Sequence, residues 1–185
     1  EYFNEGRFAD AYFSYSKYIE YNPDSVKGYI SRGNTLIFLK KIKEALSDFE
    51  KAILLDPKNY KAHSGRGTVY VYLQNGEEAI KSYQKALDLN PDDVVSINSM
   101  SVIYYGENKT SEALALLDKA IKIKPDHVDS YRNRGSMRLF SGDTTGALDD
   151  LNKAVEYGPN RVDVYNTRGA IYREMQKYDE AIADF

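Results

Sequence analysis

The chain has 185 residues, of which 42% are hydrophobic and 29% charged, with a net charge of −3, the profile of a folded domain. No stretch approaches the roughly 20 apolar residues that a membrane-spanning helix requires, so membrane insertion is not expected. No excess of Lys and Arg advertises nucleic acid as the partner. Cysteine is absent; disulfides, thiolate metal sites and cysteine nucleophiles drop out together, which fits a reducing compartment such as the cytoplasm.

Taken in chain order, the first helix-periodic stretch runs from about Phe8 to Tyr21 and stops before Asn22-Pro23. Apolar residues then recur at helical spacing over 26–39 and 42–55, 60–73 and 77–89, 94–106 and 110–123, 128–141 and 144–157, and 162–175. The chain ends at Phe185 partway through a further stretch. Each pair closes on a proline, and Pro23, Pro57, Pro91, Pro125 and Pro159 are 34 residues apart. Proline cannot sit in a helix interior, so each marks the end of one hairpin. An Asx residue follows each (Asp24, Asn59, Asp92, Asp126, Asn160) and is able to cap the incoming helix.

Other columns keep the same phase. Alanine recurs at Ala11, Ala45, Ala79, Ala113, Ala147 and Ala181, and again at Ala52, Ala86, Ala120 and Ala154, with Tyr18 in the remaining slot. Glycine recurs at Gly33, Gly67, Gly135 and Gly169, with Ser101 in the gap. Small residues such as Gly33 and Ala45 permit close helix approach, while Phe49 or Tyr83 fills the space beside them. A hairpin of this kind cannot bury its apolar face alone, so its neighbours must cover it.

These columns resemble the tetratricopeptide repeat, whose pattern of a large aromatic, Leu-Gly, an aromatic, Ala, Phe, Ala and Pro recurs at fixed spacing. One unit reads Tyr29, Arg32-Gly33, Leu36, Ala45, Phe49, Ala52, Pro57; the next reads His63, Arg66-Gly67, Tyr70, Ala79, Tyr83, Ala86, Pro91. The resemblance implies an all-α, right-handed α-solenoid of antiparallel hairpins. It implies one array with a partial repeat at 1–25, full repeats at 26–59, 60–93, 94–127 and 128–161, and a partial repeat at 162–185. Solenoids normally finish on a polar capping helix, and none is visible here. Further repeats in a longer parent protein, or self-association at the open ends, are the two expectations.

One departure from the family pattern carries chemistry. Arginine replaces Leu at Arg32, Arg66, Arg134 and Arg168, and sixteen residues later stand Asp48, Ser82, Asp150 and Asp184. The unit with Met100 in the arginine slot has Leu116 in the partner slot. This covariation within one chain predicts an Arg–Asp pair between the helices of a hairpin, because a partly buried charge needs a partner. A ladder of arginines holding an anionic ligand is the alternative.

Neither histidine looks catalytic. His63 occupies an aromatic slot and is expected to pack, and His127 sits at a helix start. The two are far apart in sequence and lack metal-ligand spacing. Acidic pairs such as Asp92-Asp93, Glu77-Glu78 and Asp149-Asp150 are adjacent rather than opposed across a cleft. No enzyme activity, cofactor or metal is expected. Most of the seventeen tyrosines fall in core columns; Tyr12, Tyr15, Tyr18 and Tyr21 share one helix at mixed spacing and include expected surface members.

The resemblance places bound peptides against the first helices of successive hairpins, on the concave face. The positions so implied are Lys27, Ile30, Ser31, Asn34 and Phe38; Lys61, Ser64, Gly65, Thr68 and Tyr72; Val95, Asn98, Ser99, Val102 and Tyr105; Asp129, Arg132, Asn133, Ser136 and Phe140; and Asp163, Asn166, Thr167 and Ala170. The expected partner-binding residues among them are Asn34, Phe38, Thr68, Tyr72, Asn98, Tyr105, Arg132, Asn133 and Asn166. Asn amides can pair with a peptide backbone without demanding one sequence. The family's carboxylate clamp for acidic chaperone tails resembles Lys and Asn on one unit, Asn on the next, and Lys and Arg on a third. The frame starting at 26–59 offers Ile30, Asn34, Gly65, Val95 and Ser99 instead, and every other frame fails too. The expected function is a protein-interaction scaffold for an extended peptide or partner helix. The alternatives are a non-catalytic targeting arm of a larger enzyme such as a glycosyltransferase, or a structural element of a large assembly.

Overall fold

The computed structural model describes residues 7–185, and every described element is helical. Eleven helices occur among these residues: α1 (Phe8–Tyr21), α2 (Val26–Phe38), α3 (Ile42–Leu55), α4 (Tyr60–Tyr72), α5 (Gly76–Leu89), α6 (Val94–Gly106), α7 (Thr110–Ile123), α8 (Val128–Phe140), α9 (Thr144–Tyr157), α10 (Val162–Glu174) and α11 (Tyr178–Asp184). The chain divides into two compact units, the first reaching Ser96 and the second starting at Ile97. In the first, α2 and α3 form one hairpin, α4 and α5 the next, and α2 also packs beside α4. In the second, α8–α9 and α10–α11 are the hairpins, and α8 packs beside α10.

The predicted boundaries hold to within a residue, and the turns explain the small differences. Inside each hairpin one residue adopts a left-handed backbone: Lys40, Gln74, Asn108, Gly142 and Gln176, with φ between 56° and 85°. Lys41 N–H then donates to the Leu36 carbonyl and Lys40 N–H to that of Ile37, each at 2.9 Å. This is the Schellman arrangement, which closes the last turn of the first helix. The same pair recurs at Asn75 and Gln74, Lys109 and Asn108, Asp143 and Gly142, and Lys177 and Gln176. Only one of the five left-handed positions is glycine, so composition hid the column.

Between hairpins the prolines lie two residues beyond a helix end, as expected. Asn59 stands at the N-cap of α4 as expected, though without a side-chain bond; at the other junctions the cap falls one position beyond the expected residue. Ser25, not Asp24, caps α2, accepting from Gly28 N–H. Asp93, not Asp92, accepts Ser96 N–H and Ser96 O–H ahead of α6. The turn after Pro23, Pro91, Pro125 and Pro159 uses up one more residue than the sequence pattern suggested. The expected aromatic slot also touches this turn: Tyr29 O–H donates to the Pro23 carbonyl at 3.1 Å, and His63 Nε2 contacts that of Pro57 at 2.9 Å. His63 is 5% exposed, a packed ring whose Nε2 must carry the proton to donate.

The arginine column does what its covariation implied. Arg32 Nε and Nη2 donate to both oxygens of Asp48 at 2.8 and 2.7 Å. Arg134 grips Asp150 at 2.9 and 2.6 Å, and Arg168 grips Asp184 at 2.8 and 2.6 Å. Arg66 Nε donates to Ser82 Oγ at 3.1 Å. Where Met100 replaces arginine it is buried. Each carboxylate holds its guanidinium firmly protonated, the direct hydrogen bond being the main cause.

Cores run between hairpins. In the first unit Leu36, Ile37, Ala45, Phe49 and Val69 form one cluster. Phe49, fully buried, lies against both Gly33 of its own hairpin and Gly65 of the next. In the second unit Tyr131, Ala147, Leu151, Ala154, Val164 and Ile171 form another. Tyr18 in the alanine column is accommodated because Gly28 faces it; Tyr21 is largely exposed, while Tyr12 and Tyr15 are half-buried. No described helix is long and apolar enough to cross a membrane.

Candidate functional site

The first helices of adjacent hairpins lie side by side within each unit, and their facing residues leave open cavities. In the first unit a cavity of about 330 Å³ is lined by Ile30, Asn34, Lys61, Ser64, Gly65, Thr68 and Val95, with Tyr60 and Asp93 beside them. A second, of about 500 Å³, continues along the same seam and shares Ile30, Asn34 and Lys61 with the first. Asn34 is exposed and borders both.

The remaining expected residues of this unit sit nearby. Thr68 Oγ1 donates to the Ser64 carbonyl at 3.3 Å and lies 3.1 Å from Tyr83 O–H. Ser64 is buried, its Oγ 3.0 Å from that of Ser96, whose proton goes to Asp93. Phe38 is 55% exposed on one face, while its other face stacks on Phe8 with centroids 4.7 Å apart. Tyr72, at the equivalent end of α4, is 59% exposed. Gly65 is backed directly by Phe49, so its place on the seam is set by packing.

In the second unit the asparagines bond to one another. Asn98 Oδ1 accepts from Ser130 O–H and from Asn133 Nδ2, each at 3.3 Å. This fixes the amide orientation of Asn98 and commits its oxygen to the Ser130 and Asn133 side chains. His127 Nδ1 lies 2.7 Å from Ser130 Oγ; with that hydroxyl donating to Asn98, Nδ1 must carry a proton. Burial pushes the His127 pKa down, against a smaller opposing pull from Asp129. Asn166 is exposed. Tyr105 packs against Phe140 at 6.5 Å. A cavity of about 630 Å³ is lined by Ser136, Leu139, Phe140, Thr144, Thr167, Ala170 and Glu174.

Arg132 belongs to a charged network. It pairs with Asp163 at 3.4 Å and Asp129 at 3.7 Å, and Arg161 joins both carboxylates at 2.8 and 2.7 Å. The Arg161 hydrogen bond holds Asp163 below its ordinary range. Arg161, Asn59, Tyr60 and Asp93 were not placed on this face from the sequence, Asn59 being read only as a helix cap and Asp93 only as half of an acidic pair. They precede or open their helices, and the 34-residue register, followed one turn upstream, would have found them. No cluster of three or more potential metal ligands occurs among the described residues.

Family models for the tetratricopeptide repeat match residues 26–59 and 60–93, 101–168 and 162–185. No curated protein matches the chain. Among solved structures, the chain is similar to PilF of Pseudomonas aeruginosa at 20% identity, covering 86% of this chain and 72% of that one, with a TM-score of 0.77. It is similar to a chain of the APC/C hetero-tetramer Cut9–Hcn1 at 17% identity, covering 97% of this chain and 36% of that one, with a TM-score of 0.88. YrrB, a tetratricopeptide repeat protein with an unusual peptide-binding site, matches at 23% identity over 92% of this chain and 88% of its own, with a TM-score of 0.61. At these identities the likeness is one of fold.

Proposed function

The chain belongs to the tetratricopeptide repeat family and is a protein-interaction scaffold, and we propose that the first helices of its hairpins receive an extended peptide or a partner helix. The observation that carries this reading is the seam between α2 and α4. There two cavities share an exposed Asn34 and run past amide and hydroxyl groups rather than a closed apolar core. Asn98, Asn133 and Asn166 supply the same chemistry in the second unit. Asn N–H donors suit a backbone carbonyl, and an Asn oxygen suits a backbone N–H; each such bond contributes about 1 kcal/mol. Phe38, Tyr72 and Phe140, exposed at the helix ends, add flat apolar surface at low entropic cost. That YrrB has a peptide-binding site on a shared fold supports the same use here.

The test is a pull-down read by mass spectrometry, comparing the chain with an Asn98→Ala, Asn133→Ala, Asn166→Ala variant of unchanged helicity. A partner retained by the chain and lost by the variant supports the reading. Equal retention by this variant and by an Asn34→Ala variant of the first unit moves binding to another surface and ends the reading.

A further inference from the structure

The second residue of each hairpin's first helix reads Lys27, Lys61, Val95, Asp129, Asp163 along the chain. In the second unit Asp129 and Asp163 sit at the positive ends of α8 and α10, where a carboxylate is favourable, and Arg161 hydrogen-bonds both. In the first unit the same places carry cations at the positive ends of α2 and α4, against the helix dipole. Both lysines are exposed. Among the described residues neither lies within ion-pair distance of a carboxylate; the Lys61 ammonium overlies the Tyr60 ring at 5.8 Å.

Both lysines line the cavity of about 500 Å³, whose other walls are Val26, Ile30, Ser31, Asn34 and Asn59, with no carboxylate. The adjoining cavity contains one, Asp93, whose Oδ2 already accepts from Ser96 N–H and O–H. Two unanswered cations, placed where the helices themselves disfavour them, border an amide-lined seam. A local violation of this kind without a compensating contact is expected where function requires it.

We propose that the α2–α4 seam holds an acidic segment of a partner polypeptide, with Lys27 and Lys61 meeting Asp or Glu side chains and Asn34 meeting the backbone. The inference rests on the peptide-binding reading and names its partner chemistry for the first unit. It differs from the carboxylate clamp, because both cations occupy the same position of adjacent repeats.

Fluorescence anisotropy tests it with three labelled ten-residue probes, alternating Ser with Asp, Asn or Lys. The whole chain is compared with a Lys27→Glu, Lys61→Glu variant and with a Lys43→Glu, Lys85→Glu control, which changes net charge equally through exposed lysines of α3 and α5. The Asp probe should bind about tenfold more tightly than the Asn probe, with the preference weakening at high salt. The Lys27/Lys61 variant should lose about tenfold in affinity while the control stays within about twofold. Equal losses in the two variants would overturn the proposal, as would equal displacement of the Asp probe by a ten-nucleotide oligothymidylate. Equal binding of the Asn and Asp probes would overturn acid selectivity while leaving peptide binding itself standing. Failure of every probe would overturn it too, and the asparagine variant of the second unit would then decide the broader reading separately.

Discussion

Replacing Gly65 by alanine sets a methyl carbon against Phe49 Cε1, 2.5 Å from Cζ and 2.7 Å from Cδ1. Two effects of opposite sign compete. Alanine is intrinsically better than glycine inside a helix by about 1 kcal/mol, whereas overpacking a tight core costs about 1–3 kcal/mol. The Phe49 ring cannot swing aside. It is fully buried, and it already meets Gly33, where a Cβ would lie 3.0 Å from Cζ. The overpacking cost should therefore fall near its upper limit, for a net loss of about 2 kcal/mol. At Gly106 a Cβ meets nothing within 4 Å, so alanine there should stabilise by up to about 1 kcal/mol. Urea denaturation followed by circular dichroism separates the two, with midpoints shifted in opposite directions. Adding Phe49→Leu should relieve the clash, so that Gly65→Ala costs at least about 1 kcal/mol less in that background. If Gly65→Ala matched Gly106→Ala, the inter-hairpin role of Phe49 would be wrong.

The ion pairs, turns and histidine give further expectations. Asp48→Leu alone strands Arg32 and should cost about 3 kcal/mol, while Arg32→Met with Asp48→Leu should stay within about 1 kcal/mol of the native chain; thermal melts would show this, and equal losses would refute the pairing. Gln74→Gly should stabilise by about 0.5–1 kcal/mol and Gly142→Ala destabilise by about 1 kcal/mol, because both positions are left-handed; denaturant midpoints decide. Burial of His127 lowers its pKa in the folded chain, so the unfolded chain protonates first as pH falls below about 6.5. Its contribution to stability is therefore complete above that pH and is lost as pH falls through the folded-state value. A His127→Asn variant should show a flatter dependence of melting temperature on pH between 7.5 and about 5.

The repeat was legible because proline, alanine and glycine each stand for a backbone or packing constraint that no other residue meets as well. Arg32 and Asp48 were legible as a pair because Met100 and Leu116 depart together in one unit. The left-handed column was not, since Lys40, Gln74, Asn108 and Gln176 tolerate a conformation they do not advertise. Nor were the caps: Asp24 and Ser25 are both good capping residues, and only the turn geometry selects between them. At the candidate site, sequence register placed Asn34, Thr68 and Lys61 on the seam. It could not show that Asn98 and Asn133 would bond to each other, that Phe38 would stack on Phe8, or that Arg132 would be held by two aspartates. Those depend on distances between side chains from different hairpins.

Within each unit the described helices touch no helix beyond the second one along the chain. That locality governs kinetics as well as stability. Short loops close at small entropic cost, so formation should be rapid and able to begin at any hairpin. Opening should likewise proceed piecewise. Among the described helices, α1 rests on α2 alone and α11 on α10 alone. Their amide protons should exchange with solvent first, while those of α4 and α8, held between helices on both sides, should exchange last.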